Sequence, residues 1–420
     1  MTIERTLLDK FRDRTGIGYD GLTQAFEPSF TDQVATWPVI AIFPLEAPPL
    51  PDALVASLLR RDLAFAGAIS VLGIEDTPKQ THDELFEELR ESSEPIPWNL
   101  VAGVGCELRE GRLVLHGRLT RVDRVDATER FSVEGPVEQL AALTVQLVER
   151  FAEALQLTPS ARARELWSQG RPVSWENLLA CGRAWAEDDV AWLEAGLVRG
   201  EVHPDALVMA DDDTNEPALV RRAVVLACTK DPSNPQLCFN HFSRLWKGMG
   251  RDSAAARVLR QGLSAAPGHG KSQMCLAHMF QRDPWNAEHI LAHAHAGYRL
   301  LRGNSFAMSN FMNYLNQFAP RDPRRGPLME EMLETNPYHP DVLKQAMDFF
   351  IEDGQPRRAL ELALHYKKLC TDPIHPTTLY CFRQNPMRAA EIESGAFKPF
   401  DDALRCVGIC EKAVRKSEQG

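Results

Sequence analysis

The spacing of apolar residues divides the chain into two parts that predict different folds. As far as residue 156, short apolar runs of strand type are separated by segments in which apolar residues recur at the helical period. The predicted order is β-α-β-α-β-β-β-α, which describes an α+β domain. The expected strands lie in residues 37–51, 68–74, 99–123 (a hairpin of two strands) and 129–135, and the expected helices in residues 52–66, 81–91 and 137–156.

Turn and capping residues support three of these elements. Glu110 and Gly111 stand where the hairpin must reverse its direction. Thr81 and Glu84 have the spacing of a capping box at a helix start. Asp52 is placed to cap the helix that follows it.

After residue 165 the strand pattern stops, and pairs of helices are expected. In residues 236–267 the second helix carries a small-large-small face of Ala255, Leu259 and Gly262, and Pro267 closes the unit. Such a face predicts close packing of the paired helices, because small side chains let two helix backbones approach each other.

This helical pattern recurs at a repeat length of about 34 residues. Closing prolines at positions 232, 267, 337 and 373 are separated by one, two and one repeat lengths. Residues 354–371 repeat the turn glycine and the small residues, residues 176–197 supply an earlier pair, and residues 268–302 hold a degenerate unit in which Gly297 is retained. Five or six units are therefore expected.

Composition and charge favour a soluble globular protein of the reducing cytoplasm. Charged residues make up 25% of the chain, and no apolar run approaches the roughly 18 residues of a membrane span. The net charge of −11 disfavours non-specific binding to nucleic acid or to an anionic membrane. The first 16 residues lack the apolar core of a secretory signal, and nine scattered cysteines favour reduced thiols.

Residues 265–272, AAPGHGKS, satisfy the loose pattern of a phosphate-binding loop. Such a loop requires a buried strand before it and a helix after it. The preceding segment has a helical period instead, and Pro267 is a closing position of the repeat. We therefore expect a turn between two helical units, with Ser272 helping to start the next helix, and no nucleotide-dependent activity.

Two further groups have the spacing of metal ligands. His289 and His293 lie one helical turn apart, as in half of a metal site, but no third ligand is evident and Ile290 stands where a metalloprotease would carry its glutamate. Cys406 and Cys410 are also one turn apart, without the spacing of paired zinc knuckles. We expect no metal site, no cofactor and no catalytic residue, and keep a metal-dependent hydrolase as a minor alternative.

Two family resemblances follow from these patterns. Residues 37–157 resemble the TolB amino-terminal-like domain. The resemblance rests on the order of the elements, with VIAIFPLEAP at the start, the hairpin in the middle and the helix LTVQLVERFAEALQL at the end. Residues 170–373 resemble tetratricopeptide repeats, on the unit described above and on Gly354, Ala359 and Ala363. The first resemblance implies a domain without catalytic residues that often accompanies such repeats in bacterial signalling proteins. The second implies a solenoid of helix pairs whose first helices face a protein partner.

The predicted organisation therefore has four parts: an N-terminal helical extension with a short helix and a polar loop (1–36), an α+β domain (37–160), a tetratricopeptide-like α-solenoid (165–373) and C-terminal capping helices (374–420).

The expected function is that of a non-enzymatic scaffold or adaptor that binds a partner protein in a bacterial complex. The predicted partner-binding residues occupy outward positions of first helices: Asn240, Arg244, Lys247, Asn310, Asn313, Gln317, Lys344 and Asp348. The alternative is a ligand-sensing regulatory subunit, which a cavity in residues 37–157 would favour. Self-association is also open, because the segment ALRCVGICEKAV (403–414) is apolar enough to meet another copy.

Overall fold

The computed structural model describes residues 28–45, 51–72, 81–85, 98–124, 127–169, 217–243, 252–280, 287–383 and 386–419, together with isolated positions in 174–198 and residue 245. Contacts divide the chain into two compact units, residues 1–302 and 303–420. The finer division into four parts stays a prediction.

The first unit contains the predicted α+β fold, built around one five-stranded sheet. Its strands are β1 (Val39–Pro44), β2 (Ser70–Val71), β3 (Leu100–Arg109), β4 (Arg112–Arg121) and β5 (Thr128–Pro136). The spatial order is β2-β1-β3-β4-β5, in which β1 is parallel to both β2 and β3. The pairs β3–β4 and β4–β5 are antiparallel. The second strand is shorter than expected, with two residues instead of seven.

The helices with described bounds in this part of the chain are α1 (Pro28–Val34), α2 (Pro51–Ala66), α3 (Leu140–Ala154) and α4 (Ala161–Trp167). Helices α2 and α3 pack on one face of the sheet, where Ile40, Leu115 and Phe151 belong to one buried cluster. This cluster is the core of the α+β part.

The local signals of the sequence are confirmed in the hairpin and in the capping box. Glu110 and Gly111 form the hairpin turn with φ angles of 50° and 77°, the left-handed geometry that a two-residue turn between twisted strands requires. The backbone amide of Thr81 donates to Glu84 Oε2 at 2.8 Å, and the amide of Glu84 donates back to Thr81 Oγ1 at 3.3 Å. Beyond residue 85 the predicted helix lies outside the described residues.

Two details differ from expectation. Asp52 reaches across to β3, where its Oδ1 accepts hydrogen bonds from the amide and the thiol of Cys106 at 2.8 and 3.1 Å. The stretch expected as a polar loop before residue 36 contains α1. This helix forms because Val34 and Ala35 are buried against Ala296 and Leu300.

The other described elements of the first unit are helices, and small residues set their packing. The helices are α5 (Pro217–Lys230), α6 (Pro235–Ser243), α7 (Asp252–Ala265), α8 (Gly270–Phe280) and α9 (Ala287–Leu300). A Cβ on Gly262 of α7 would lie 2.7 Å from Cys238 Cβ of α6. A Cβ on Gly297 of α9 would lie 3.0 Å from the backbone nitrogen of Met274 in α8. The predicted close packing at Gly262 is confirmed, and Gly297 makes a similar close approach.

The second unit consists of packed helices. They are α10 (Ser305–Phe318), α11 (Arg325–Thr335), α12 (Pro340–Glu352), α13 (Pro356–Leu369), α14 (Pro376–Arg383), α15 (Pro386–Glu393) and α16 (Pro399–Gln419). Helix α10 packs on α11, α11 on α12, α12 on α13, and α13 on α16. Ala359 and Ala363 of α13 are fully buried, as their small-residue pattern predicts.

Candidate functional site

Helix α10 presents one uncharged polar face. Asn304 caps its start, since Asn304 Oδ1 accepts from the amide of Ala307 at 3.0 Å. Phe306, Asn313 and Gln317 are exposed, and Asn310 is partly exposed. These positions are separated by three or four residues, so they form a single stripe along the helix.

Helix α12 lies beside this stripe and extends the face. Gln345 Nε2 donates to Asn313 Oδ1 at 2.7 Å and to the carbonyl oxygen of Ser309 at 3.4 Å. Asp348 is exposed one turn further along α12. Phe306, Asn310, Asn313, Gln317 and Gln345 together are called the α10–α12 surface below.

Asp348, another predicted partner-binding residue, lies on the side of α12 that is near α16, where its charge acts on the thiols of Cys406 and Cys410. Partial burial, together with the carboxylate of Glu352 one turn further on, raises the pKa of Asp348. Its negative charge is therefore only weakly stabilised by its surroundings.

Lys344 was predicted to meet a partner, but the structure places its ammonium group in an internal network. Lys344 Nζ lies 2.5 Å from Asp402 Oδ2 on α16. The same carboxylate accepts from the hydroxyl of Tyr366 at 3.0 Å and from Arg405 Nη2 at 2.6 Å. Burial opposes the charge on Asp402, but these donors outweigh burial and lower its pKa. Lys344 therefore holds α12 to α16.

The outward position predicted for Asn240 is wrong. Its side chain is 5% exposed, and its Oδ1 accepts from Gln236 Nε2 at 3.2 Å. The physical reason is that α6 packs on α2 of the α+β part as well as on α5, α7 and α8, so this position is covered. Arg244 and Lys247 lie outside the described residues.

The surface residues that sequence reasoning missed are Phe306 and Gln345. Phe306 lies one turn before Asn310, so extending the i, i+4 series backwards would have found it. Gln345 follows Lys344 directly, and the choice between these neighbours depends on which side of α12 meets α16. No local signal indicates that side.

A second feature is a cleft in the first unit, between the α+β part and the helices. It is small, with a cavity volume of about 30 Å³, and it is partly open to solvent. Its lining comes from α2, from the edge of the sheet, from the start of α6 and from the turn before α8: Ser57, Arg60, Arg61, Ala64, Val71, Leu72, Asn234, Pro235, Gln236 and His269. It therefore lies at the boundary of the α+β part and not within its packed core.

Charged groups at this cleft are engaged by the protein itself. Arg61 donates through Nε and Nη2 to the two carboxylate oxygens of Asp231 at 2.5 and 3.0 Å. His269 Nε2 lies 3.3 Å from Gln236 Oε1, and burial lowers the pKa of His269 to about 4. Neutral imidazole and amide groups thus provide much of the hydrogen-bonding capacity of the cleft.

The phosphate-loop pattern falls on a turn between two helices, as predicted. Helix α7 ends at Ala265 and α8 begins at Gly270, so a helix precedes the turn where a phosphate loop would have a strand. Ser272 is fully buried and its Oγ lies 2.7 Å from His269 Nδ1. Burial lowers the pKa of Lys271 to about 8, and its ammonium group lies 5.9 Å from the centre of the Phe239 ring.

The histidines of α9 point in different directions. His293 is fully buried with Nδ1 2.6 Å from Gln273 Oε1, and burial, with His289 and Arg260 nearby, lowers its pKa to about 3. His295 Nδ1 lies 3.4 Å from Asp32 Oδ1. Within the described parts of the chain, no three histidine, cysteine or carboxylate side chains are grouped as metal ligands.

The described cysteines, including Cys406 and Cys410, are free thiols. Burial raises the pKa of Cys410 to about 11. In the described ranges, no helix is long and apolar enough to cross a membrane. Comparison with protein-family models finds no matching family, and comparison with curated proteins finds no similar sequence.

Proposed function

We propose that the protein is a non-enzymatic scaffold that binds a partner protein through the α10–α12 surface. The observation that carries this proposal is the single stripe of Phe306, Asn310, Asn313 and Gln317 along α10, extended by Gln345 of α12. The tetratricopeptide-like pattern supports it, because in such arrays the first helices of successive pairs form the binding face. The resemblance to the TolB amino-terminal-like domain favours a place in a bacterial complex.

The chemistry of the surface suits a peptide or helix better than a small substrate. Amide side chains carry both donors and an acceptor, so the exposed Asn313 and Gln317 have groups of both kinds that can bond to the backbone or to polar side chains of a partner. Phe306 is 69% exposed and offers an aromatic side chain of the kind that is enriched at protein interfaces. A partner that covers Phe306 would remove this apolar area from water.

The test is a double substitution, Phe306→Ala with Gln317→Ala, in the full chain. Both side chains are exposed, so the melting temperature should stay within about 2 °C of wild type. Affinity capture from the native host, with quantitative mass spectrometry, should show one or two proteins that wild type retains and the variant loses. Each such protein is then titrated as a purified component.

Gln261→Ala is the matched control, because Gln261 is an exposed amide on α7. It should retain the same proteins as wild type. Equal capture by wild type and the double variant, with both folded, would contradict the proposal.

The cleft beside His269 supports a second candidate function, that of a ligand-sensing regulatory subunit. A ligand there would contact both the α+β part and the helices, so it would bias how the two pack. Thermal-shift screening with small polar metabolites tests this. A ligand that stabilises wild type but not a Gln236→Leu variant would support sensing.

A further inference from the structure

The outer face of α13 carries an ordered stripe of charges around one leucine. Ala359, Ala363 and Tyr366 form the buried side of this helix. Arg357, Glu361, Leu364 and Lys368 form the exposed side at intervals of three and four residues, and exposed Asp372 follows the end of the helix.

The order of charges in this stripe is positive, negative, apolar, positive, negative. When the stripe is read from its other end, each charged position carries the opposite sign. A second copy of α13 that crosses the first in antiparallel orientation at Leu364 therefore sets Glu361 of one copy against Lys368 of the other, and Arg357 against Asp372. A parallel copy in register would set like charges against each other.

Such an antiparallel arrangement is what a two-fold axis produces, since the same patch then faces itself. Each favourable pair occurs twice, once on each side of the axis. The complementarity is therefore a property of one sequence meeting a copy of itself.

The apolar centre of the stripe is Leu364, and the neighbouring helix α16 carries a second exposed leucine, Leu404. Arg357 Nη2 lies 2.9 Å from Glu418 Oε1, and Tyr366 bonds to Asp402, so α16 runs antiparallel to α13. By this register Leu404 lies at the level of Leu364. Leu404 and Leu364 are 41% and 49% exposed, so a contact that covers them would remove apolar area from water.

We propose that two copies of this chain associate through the outer face of α13, with Leu364 at the two-fold axis. Burial of Leu364 and Leu404 stabilises the contact, and the charge pairs fix its antiparallel orientation. A 14-residue helix is only about 21 Å long, so the contact area is modest and the dissociation constant is expected in the micromolar range. The α10–α12 surface lies on other helices, so the two proposals are independent.

Sedimentation equilibrium of the full chain tests the proposal over a concentration range that spans about 1–100 μM. Wild type should pass from monomer to dimer with rising concentration, and Leu364→Asp should remain monomeric. Far-UV circular dichroism and the melting temperature establish that each variant is folded.

Variants that reverse single charges of the stripe test the antiparallel orientation of the two copies. Glu361→Lys and Lys368→Glu each turn two symmetric attractive pairs into repulsive ones, so each should weaken the dimer about tenfold. The double variant Glu361→Lys/Lys368→Glu restores opposite charges and should recover the wild-type dissociation constant. Glu129→Lys, at an exposed position on β5, is the control and should leave association unchanged.

Three results would overturn the proposal. Wild type that stays monomeric throughout the range excludes the dimer. Single charge reversals without effect place any dimer elsewhere on the molecule. A double variant as weak as the single variants excludes the antiparallel arrangement.

Discussion

The buried ion pair between Arg61 and Asp231 leads to the most demanding stability prediction. It joins α2 to the residue that follows α5, across 170 positions of sequence. Both side chains are 4% exposed, and Asp231 also accepts from Asn234 Nδ2 at 3.1 Å. The substitution Asp231→Asn keeps the shape of the side chain and removes its charge.

The structure determines how large the effect should be. Removing one partner of a buried ion pair costs about 3–5 kcal/mol, because the remaining charge is left in a poorly solvating environment. Arg61 keeps a contact with Asp62 Oδ1 at 2.6 Å and with the carbonyl oxygen of Leu166 at 3.0 Å. The loss should therefore lie at the lower end, about 3 kcal/mol in the free energy of unfolding, or about 6 °C in melting temperature.

Urea denaturation followed by far-UV circular dichroism measures this loss. The matched control is Glu165→Gln, because Glu165 Oε2 and Arg162 Nη1 are 2.7 Å apart with both side chains more than half exposed. This exposed pair should contribute less than about 1 kcal/mol. A loss below about 1 kcal/mol for Asp231→Asn as well would refute the reasoning, since it would mean that the pair is not buried in solution.

Three further predictions concern packing, pH and the second unit. Gly262→Val should lower the free energy of unfolding by about 1–3 kcal/mol, as measured by urea denaturation. The reason is that a Cβ at residue 262 would lie only 2.7 Å from Cys238 Cβ, so the valine side chain would collide with Cys238. The pKa of His293 is lowered to about 3, so from pH 6.5 downwards the unfolded chain binds a proton that the native state excludes, and stability falls. His293→Gln should make the dependence of unfolding free energy on pH between about 6 and 4 shallower. Asp402→Asn should cost about 2 kcal/mol by leaving Lys344 without its carboxylate, measured as a lower urea midpoint.

Features that depend on a few neighbouring residues could be predicted from the sequence. The hairpin turn requires positive φ angles at two consecutive residues, and Glu110 with Gly111 satisfies them. The capping box needs only Thr81 and Glu84 at the correct spacing. Gly262 was predicted to lie at a close helix contact because small residues recur at the helical period on that face. Such a face indicates that the backbone of another helix packs against it.

Features that depend on distant segments could not be predicted in the same way. Asn240 occupies a position that would face outward in an isolated helix pair, but α6 also packs on α2, which precedes it by some 170 residues. Lys344 and Gln345 are neighbours on α12, and only the position of α16 decides that the first is used internally and the second faces α10. The candidate surface was therefore predicted from helix periodicity, and tertiary contacts remove Asn240 and Lys344 from it.

The stretch AAPGHGKS shows why a motif must be judged by what its residues contact. Gly268 is required because a Cβ there would lie 2.9 Å from the carbonyl oxygen of Ile69, and Ser70 Oγ donates to the carbonyl oxygen of Gly268 at 2.8 Å. In a phosphate loop the glycines bring backbone amides to an anion. Here Gly268 brings the turn against the edge of the sheet, so the same residue type serves close approach between two parts of the protein. The motif therefore indicates tight backbone packing, and its contacts identify a docking point between the sheet and the helices.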